Sequence, residues 1–219
     1  MAHSCWAAME QVPCGFWSGM TWLGDSALLL PASVLILIWL VLARRTWPTA
    51  GAWALTFGAG GAVIAVSKIA FLGWGIGSAR FNFTGFSGHT AIAASVWPVA
   101  LWLVTLGAAT RVRTAAVLVG WLLAAGIGVS RLAVEAHSPS EVASGLLLGT
   151  AVSASFLWLA QRRARPRLWW PVVMASFMLP LLFQEPGEPA PTQSLLEQIA
   201  VTLAGIEKPY TRQDLLKRG

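Results

Sequence analysis

The chain has 219 residues, of which 56% are hydrophobic and 11% charged, and its mean hydropathy is +0.65. A soluble domain carries about 25% charged residues, so this composition excludes water as the main solvent. The net charge is +6, but Arg44 and Arg45, Arg111 and Arg113, and Arg162, Arg163, Arg165 and Arg167 fall in gaps between apolar runs. That is the pattern of membrane loops rather than of a nucleic-acid groove.

Residues 1–25 mix Trp6, Phe16, Trp17 and Trp22 with polar residues and Pro13, which predicts an amphipathic segment on the membrane surface. They lack the basic stretch, apolar core and small-residue site of a removable signal peptide. Cys5 and Cys14 lie here and form no metal pattern with a histidine cluster; whether they pair depends on the compartment they face. Six apolar runs follow, roughly 26–43, 50–72, 89–107, 114–133, 140–160 and 168–184. Each approaches the roughly 20 residues needed to span a bilayer. Lipid offers the backbone no hydrogen-bond partner, so the runs must be helices. Trp22, Trp47, Trp169 and Trp170 stand at run ends as interface anchors. A Pro-rich linker over 184–191 leads to a short amphipathic helix over 194–206 and a polar end. The expected fold is therefore all-α: a surface segment at 1–25, a six-helix membrane bundle at 26–184, and a tail at 185–219.

The basic loops after the first, third and fifth runs should be cytoplasmic. Residues 1–25 hold Glu10 and Asp25 but no Lys or Arg, so they should lie outside. Six crossings bring the tail outside too, although its Lys208, Arg212, Lys217 and Arg218 run against the rule. This topology gathers on the outer face the end of the second run, the start of the third, the end of the fourth and the start of the fifth.

Ionisable groups at these places are functional candidates. Gly85-Phe86-Ser87-Gly88-His89-Thr90 opens the third run, where free backbone N–H groups and the helix dipole favour an anion. An ordinary cap by Ser87 beside an interfacial histidine is the plainer alternative. Ser130-Arg131 closes the fourth run, and arginine binds phosphate in a planar, bidentate way. His137 and Glu141, four apart, share a helix face, so the carboxylate can fix the imidazole tautomer. Ser138-Pro139-Ser140-Glu141 also reads as a capping box, and the two readings are compatible. Lys68 sits late in the second run, where snorkelling is the plain explanation. Arg80 follows in a loop after the flexible Gly73-Trp74-Gly75-Ile76-Gly77. Together these groups offer cations, a helix N-terminus and two imidazoles, the parts phosphoryl transfer uses. Gly145 and Gly149 form a small-xxx-small pair that can admit a neighbouring helix.

These residues resemble the type 2 phosphatidic acid phosphatase (PAP2) superfamily, whose three-part signature is K-x6-R-P, P-S-G-H and S-R-x5-H-x3-D. The third part is present as Ser130-Arg131, His137 and Glu141, with Glu for Asp. The second is Ser87-Gly88-His89, preceded by Phe86 rather than Pro. The first is degenerate: Lys68 is there, but the next arginine is Arg80, followed by Phe81. The resemblance implies His137 as the nucleophile of a phosphohistidine intermediate and His89 as the acid for the leaving group. It further implies Lys68, Ser87, Gly88, Arg131 and Arg80 as phosphate ligands and Glu141 as the group orienting His137, with no metal and no cofactor. The expected function is hydrolysis of a lipid phosphate or pyrophosphate at the periplasmic face of an inner membrane. The substrate would be of the phosphatidic acid, phosphatidylglycerol phosphate, undecaprenyl pyrophosphate or lipid A phosphate class, with membrane lipids as the surroundings and no nucleic-acid partner. Two alternatives remain open: phosphotransfer between lipids, and a non-catalytic binding or transport protein. Transport would favour polar groups near the bilayer midplane, whereas these cluster at one face.

Overall fold

The computed structural model describes residues 13–163 and 192–218. The described residues form helices α1 (Cys14–Trp22), α2 (Ser26–Leu42), α3 (Trp47–Trp74), α4 (Gly88–Val104), α5 (Thr110–Ala133) and α6 (Pro139–Gln161). Two more, α7 (Thr192–Ala204) and α8 (Arg212–Lys217), belong to the tail. No strand occurs among them, only an isolated bridge between Ser78 and Phe83.

The helix edges follow local chemistry. The Asp25 side chain caps α2 by accepting the Ala27 N–H at 2.8 Å. Pro48 occupies the first turn of α3, where a missing N–H costs nothing, so α3 starts earlier than its apolar run. Gly75 ends α3 with φ +67°, a left-handed closure that suits glycine. The apolar run over 89–107 overshoots its helix, which stops at Val104. The run over 168–184 lies outside the described residues.

Four stretches, Gly15–Leu42, Trp47–Trp74, Thr110–Ala133 and Pro139–Gln161, are long and apolar enough to cross a membrane. The first includes α1 and the turn before α2. Large apolar side chains such as Leu55, Leu122 and Leu147 point outward, each more than two-thirds exposed. A face of that kind suits hydrocarbon rather than water. The protein is a membrane-embedded helical bundle.

Helix α4 is shorter, at 17 residues, and sits in the middle. Its Ala91, Ala93, Ala94, Val96 and Val99 are fully buried, packed among α2, α5 and α6. Glycines allow the close approach. A methyl group at Gly145 of α6 would stand 2.8 Å from the Ser87 carbonyl oxygen, and one at Gly149 would overlap the Ala91 carbonyl. The small-xxx-small pair is thus the seat of α4. Gly120 of α5 does the same for Pro98, the proline inside α4. Indole N–H groups tie neighbours together: Trp53 to the Ser33 carbonyl, Trp97 to the Leu23 carbonyl and Trp121 to the Ser153 hydroxyl, each at 3.0 Å. Such partners let tryptophan stay within an apolar interior.

The bundle has two unlike ends. One carries the α2–α3 turn with Arg45, the α4–α5 turn, whose Leu106 and Ala108 carbonyls accept from Arg113 in the first turn of α5, and Arg163, whose guanidinium reaches the Pro48 carbonyl. The other carries residues 23–25, 75–87 and 134–138. Tail helix α7 packs along α3 at this second end, where Phe71, Leu72, Ala200 and Leu215 form a small second core. Thr192 meets Ser26 there at 3.1 Å.

Candidate active site

Every candidate group is at the second end, and the local backbone explains why. Helix α5 ends at Ala133, and the chain then turns through Glu135, whose φ is +55°. The turn folds back so that the N–H groups of Ala136 and His137 both donate to the Arg131 carbonyl, at 3.1 and 3.3 Å. The five residues between Arg131 and His137 are the length of this return. Ser138 then caps α6: its hydroxyl accepts the Glu141 N–H, and Glu141 Oε2 accepts the Ser138 N–H at 3.1 Å. The capping box is complete, and the same Oε2 lies 2.8 Å from His137 Nδ1. The compatibility read in the sequence therefore holds: one carboxylate closes the helix and fixes the imidazole.

Glu141 has further partners. Its side chain is fully buried. Oε1 accepts the Thr84 N–H at 2.8 Å and the Thr84 hydroxyl at 2.5 Å. Arg212 Nη2, from α8, donates to Oε1 at 3.0 Å and to Oε2 at 2.8 Å. A buried carboxylate needs such compensation. The longer side chain, where the PAP2 signature has Asp, serves His137, Ser138, Thr84 and Arg212 at once. With Nδ1 directed at this carboxylate, Nε2 of His137 is the ring nitrogen that Glu141 does not engage. Burial holds the His137 imidazole below its ordinary value, helped by the Arg131 and Lys68 charges and opposed by Glu141.

The N-terminus of α4 is bonded to the start of α6. The Ser87 N–H donates to the Glu141 carbonyl at 3.1 Å, and the Ser87 hydroxyl pairs with that of Thr90 at 2.9 Å. Ser87 is fully buried, so it serves as a tie between helices; its amide is not free to meet an anion. The helix start still leaves the amides of Gly88, His89 and Thr90 without intrahelical acceptors. Lys68 borders them: a methyl group on Gly88 would lie 3.9 Å from Lys68 Nζ, which donates to Gln193 Oε1 of α7 at 3.2 Å. His89 Nε2 is 3.5 Å from Asp25 Oδ2. The Arg131 charge acts on Lys68, His89 and His137 alike, so these side chains share one electrostatic neighbourhood. Arg131 Nε is buried and has no hydrogen-bond partner among the described residues.

The structure thus brings together Lys68, Gly88, His89, Arg131, His137 and Glu141. Arg80 stands apart from this group: it is exposed, its guanidinium lies over the Phe81 ring at 5.5 Å, and none of the hydrogen bonds joining the site among the described residues involves it. Two charged residues unmarked by the sequence motifs take part, Asp25 and Arg212. Asp25 is visible as an acid directly before an apolar run. Arg212 is one of the tail cations that run against the positive-inside rule.

The PAP2 superfamily matches residues 74–166, the stretch from the end of α3 to just past α6. A protein of Klebsiella pneumoniae described as "Uncharacterized 22.5 kDa protein in cps region" is 45% identical over 205 residues, 92% of this chain and 98% of that one. The chain belongs to the PAP2 superfamily. Membership implies a phosphatase-type activity. No solved structure matches the chain. The PAP2 match takes in Gly88, His89, Arg131, His137 and Glu141, while Asp25, Lys68 and Arg212 come from outside it.

Proposed function

We propose that this protein hydrolyses the phosphate monoester or pyrophosphate of a membrane lipid, at the periplasmic face of an inner membrane, through a phosphohistidine on His137. The observation that carries the reading is Arg131. A buried guanidinium nitrogen without a hydrogen bond costs about 1–3 kcal/mol, and this one lies in the same neighbourhood as two imidazoles, a lysine and a helix N-terminus. A phosphate oxygen would satisfy it.

In this scheme Arg131, Lys68 and the amides of Gly88 and His89 hold the phosphate oxygens, while Ser87 positions those amides. His137 Nε2 attacks phosphorus, forming an N–P bond as the P–O bond to the lipid breaks. His89 gives its proton to the departing oxygen. Water then attacks the phosphohistidine and returns a proton to His89; inorganic phosphate leaves and His137 is restored. Each step moves negative charge that fixed cations and dipoles stabilise.

Two features favour a lipid substrate. The site is at the end of a bundle with an apolar exterior. An apolar cleft lined by Phe57, Ile64, Ala91, Ile92 and Val152 also lies among α3, α4 and α6, beginning two residues beyond His89. The periplasmic assignment rests on the basic loops at the opposite end. The test is phosphate release by detergent-solubilised protein from a panel of lipid phosphates and pyrophosphates, with and without a chelator. Release by wild type, unaffected by chelator and absent in His137→Ala, is expected. No release from any lipid by folded wild type would overturn hydrolysis and turn attention to transfer onto an added lipid acceptor.

A further inference from the structure

The tail reaches the site at two points. Gln193 of α7 meets Lys68, and Arg212 of α8 meets Glu141. The second contact is elaborate. Nη2 of Arg212 bonds both oxygens of the buried carboxylate, while Nη1 donates to the Asn82 carbonyl at 3.1 Å and the Asn82 Oδ1 at 2.7 Å. Asn82 has φ +48° and sits on the 75–87 loop, two residues before Thr84, the other donor to Glu141 Oε1. One guanidinium therefore clamps the carboxylate and the loop that covers it. Helix α8 is itself fixed by Leu215 in the second core, by the Tyr210 N–H on the Leu72 carbonyl at 2.9 Å, and by its own Thr211–Asp214 capping box.

A carboxylate holding an imidazole does so best when it cannot turn. Without Arg212, Glu141 keeps the Ser138 and Thr84 donors and the more distant charge of Lys68, but no cation is bonded to it among the described residues. More of its charge then acts on His137, which also feels Arg131 from α5, Lys68 from α3 and His89 from α4. Arg212 balances that charge and fixes the direction of the oxygen facing Nδ1. Bidentate arginine geometry suits both tasks.

We propose that Arg212 is a positioning residue of the reaction: through Glu141 it sets the orientation and proton affinity of His137, making the C-terminal tail part of a site whose family match ends at residue 166. This rests on the phosphatase reading above. It predicts that Arg212→Ala lowers kcat by about ten- to a hundredfold, the scale of one charge-assisted hydrogen bond lost from the transition state, and leaves KM nearly unchanged. Arg212→Lys keeps the charge without the fork and should regain part of the loss. The acid limb of the pH profile should move to higher pH in Arg212→Ala, because an unbalanced Glu141 favours the imidazolium.

The experiment measures kcat, KM and pH profile for wild type, Arg212→Ala, Arg212→Lys and Asn82→Ala, with thermal unfolding to establish folding. In parallel, the pH dependence of carbethoxylation at His137, read by peptide mass spectrometry, follows its proton affinity whether or not phosphate is released. A kcat loss with the upward shift at His137, partly regained by lysine, supports the proposal. Wild-type kcat and titration in Arg212→Ala would overturn it and leave the phosphatase reading intact. So would a loss that lysine does not relieve and that leaves the His137 titration unmoved. If Arg212→Ala does not fold, Arg212→Lys and Asn82→Ala decide on the same readouts. Absence of phosphate release from wild type would instead sink the phosphatase reading, and an unmoved His137 titration would then sink the clamp as well.

Discussion

His137 and His89 each face a carboxylate, but the two carboxylates are held very differently. Glu141 is fully buried, lies 2.8 Å from its imidazole, and also accepts from Ser138, Thr84 and Arg212. Asp25 is part exposed, lies 3.5 Å from its imidazole, and among the described residues has one backbone partner, the Ala27 N–H. An attacking nitrogen must keep one direction and one tautomer, and an over-determined carboxylate gives it both. A group that shuttles a proton to a departing oxygen gains from a looser neighbour. The difference matches the two roles proposed here.

The comparison breaks first at the carboxylates themselves. Glu141→Ala should abolish phosphate release and destabilise the fold by about 3 kcal/mol, the lower end for stranding one partner of a buried pair, since Arg212 keeps partial solvent access. Asp25→Ala should cost only the cap of α2, about 1 kcal/mol, and lower the rate by less than the roughly 10²–10⁴-fold that a general acid contributes. Phosphate assays and thermal unfolding on both variants check this; equal effects would dissolve the distinction.

Glu141→Asp comes next. The shorter side chain keeps the charge but cannot serve all four partners. A loss of one or two hydrogen bonds, about 1–2 kcal/mol, is expected by thermal unfolding, with measurable activity remaining. Acidification perturbs the His137 pair more gently. The native imidazole of His137 sits below its ordinary value of 6.5, so the unfolded chain takes up its proton first. The stability from neutral His137 is therefore complete above about 6.5 and is lost as pH falls towards the native value. The acid limb of kcat should likewise lie below about 6.5. The smallest effect is at the turn into His137. Glu135→Gly removes a positive-φ cost and adds chain entropy, so stability should change by less than about 1 kcal/mol, as read by unfolding, with the rate unaltered.

What the sequence disclosed was set by distance along the chain. Arg131, His137, Ser138 and Glu141 lie within eleven residues, and a turn plus a capping box leave little freedom in how they meet. His89 and Lys68 required a topology, which apolar runs and basic loops supplied. Arg212 is 71 residues from Glu141, beyond a Pro-rich stretch, and no local periodicity connects the two. Its trace was indirect, a cation on the side the charge rule disfavours. Ser87 shows the opposite limit: its place before a helix suggests an anion ligand, but only packing reveals that the Glu141 carbonyl already takes its amide. Arg80 was suggested by order in a motif, which does not encode its stacking on Phe81. The helices themselves were legible because lipid demands continuous apolar runs, while their ends moved by a few residues to satisfy Pro48, Asp25 and Gly75.

The docking of the tail also turns orientation into a simple question. Arg218 lies over the Tyr210 ring at 4.7 Å, beside Gly75 at the end of α3, so the last described residues are tethered to the same end of the bundle as His137. A reporter enzyme or fluorophore fused behind them, active in only one compartment, would identify from a single colony colour or fluorescence reading which side of the membrane the substrate's headgroup must occupy.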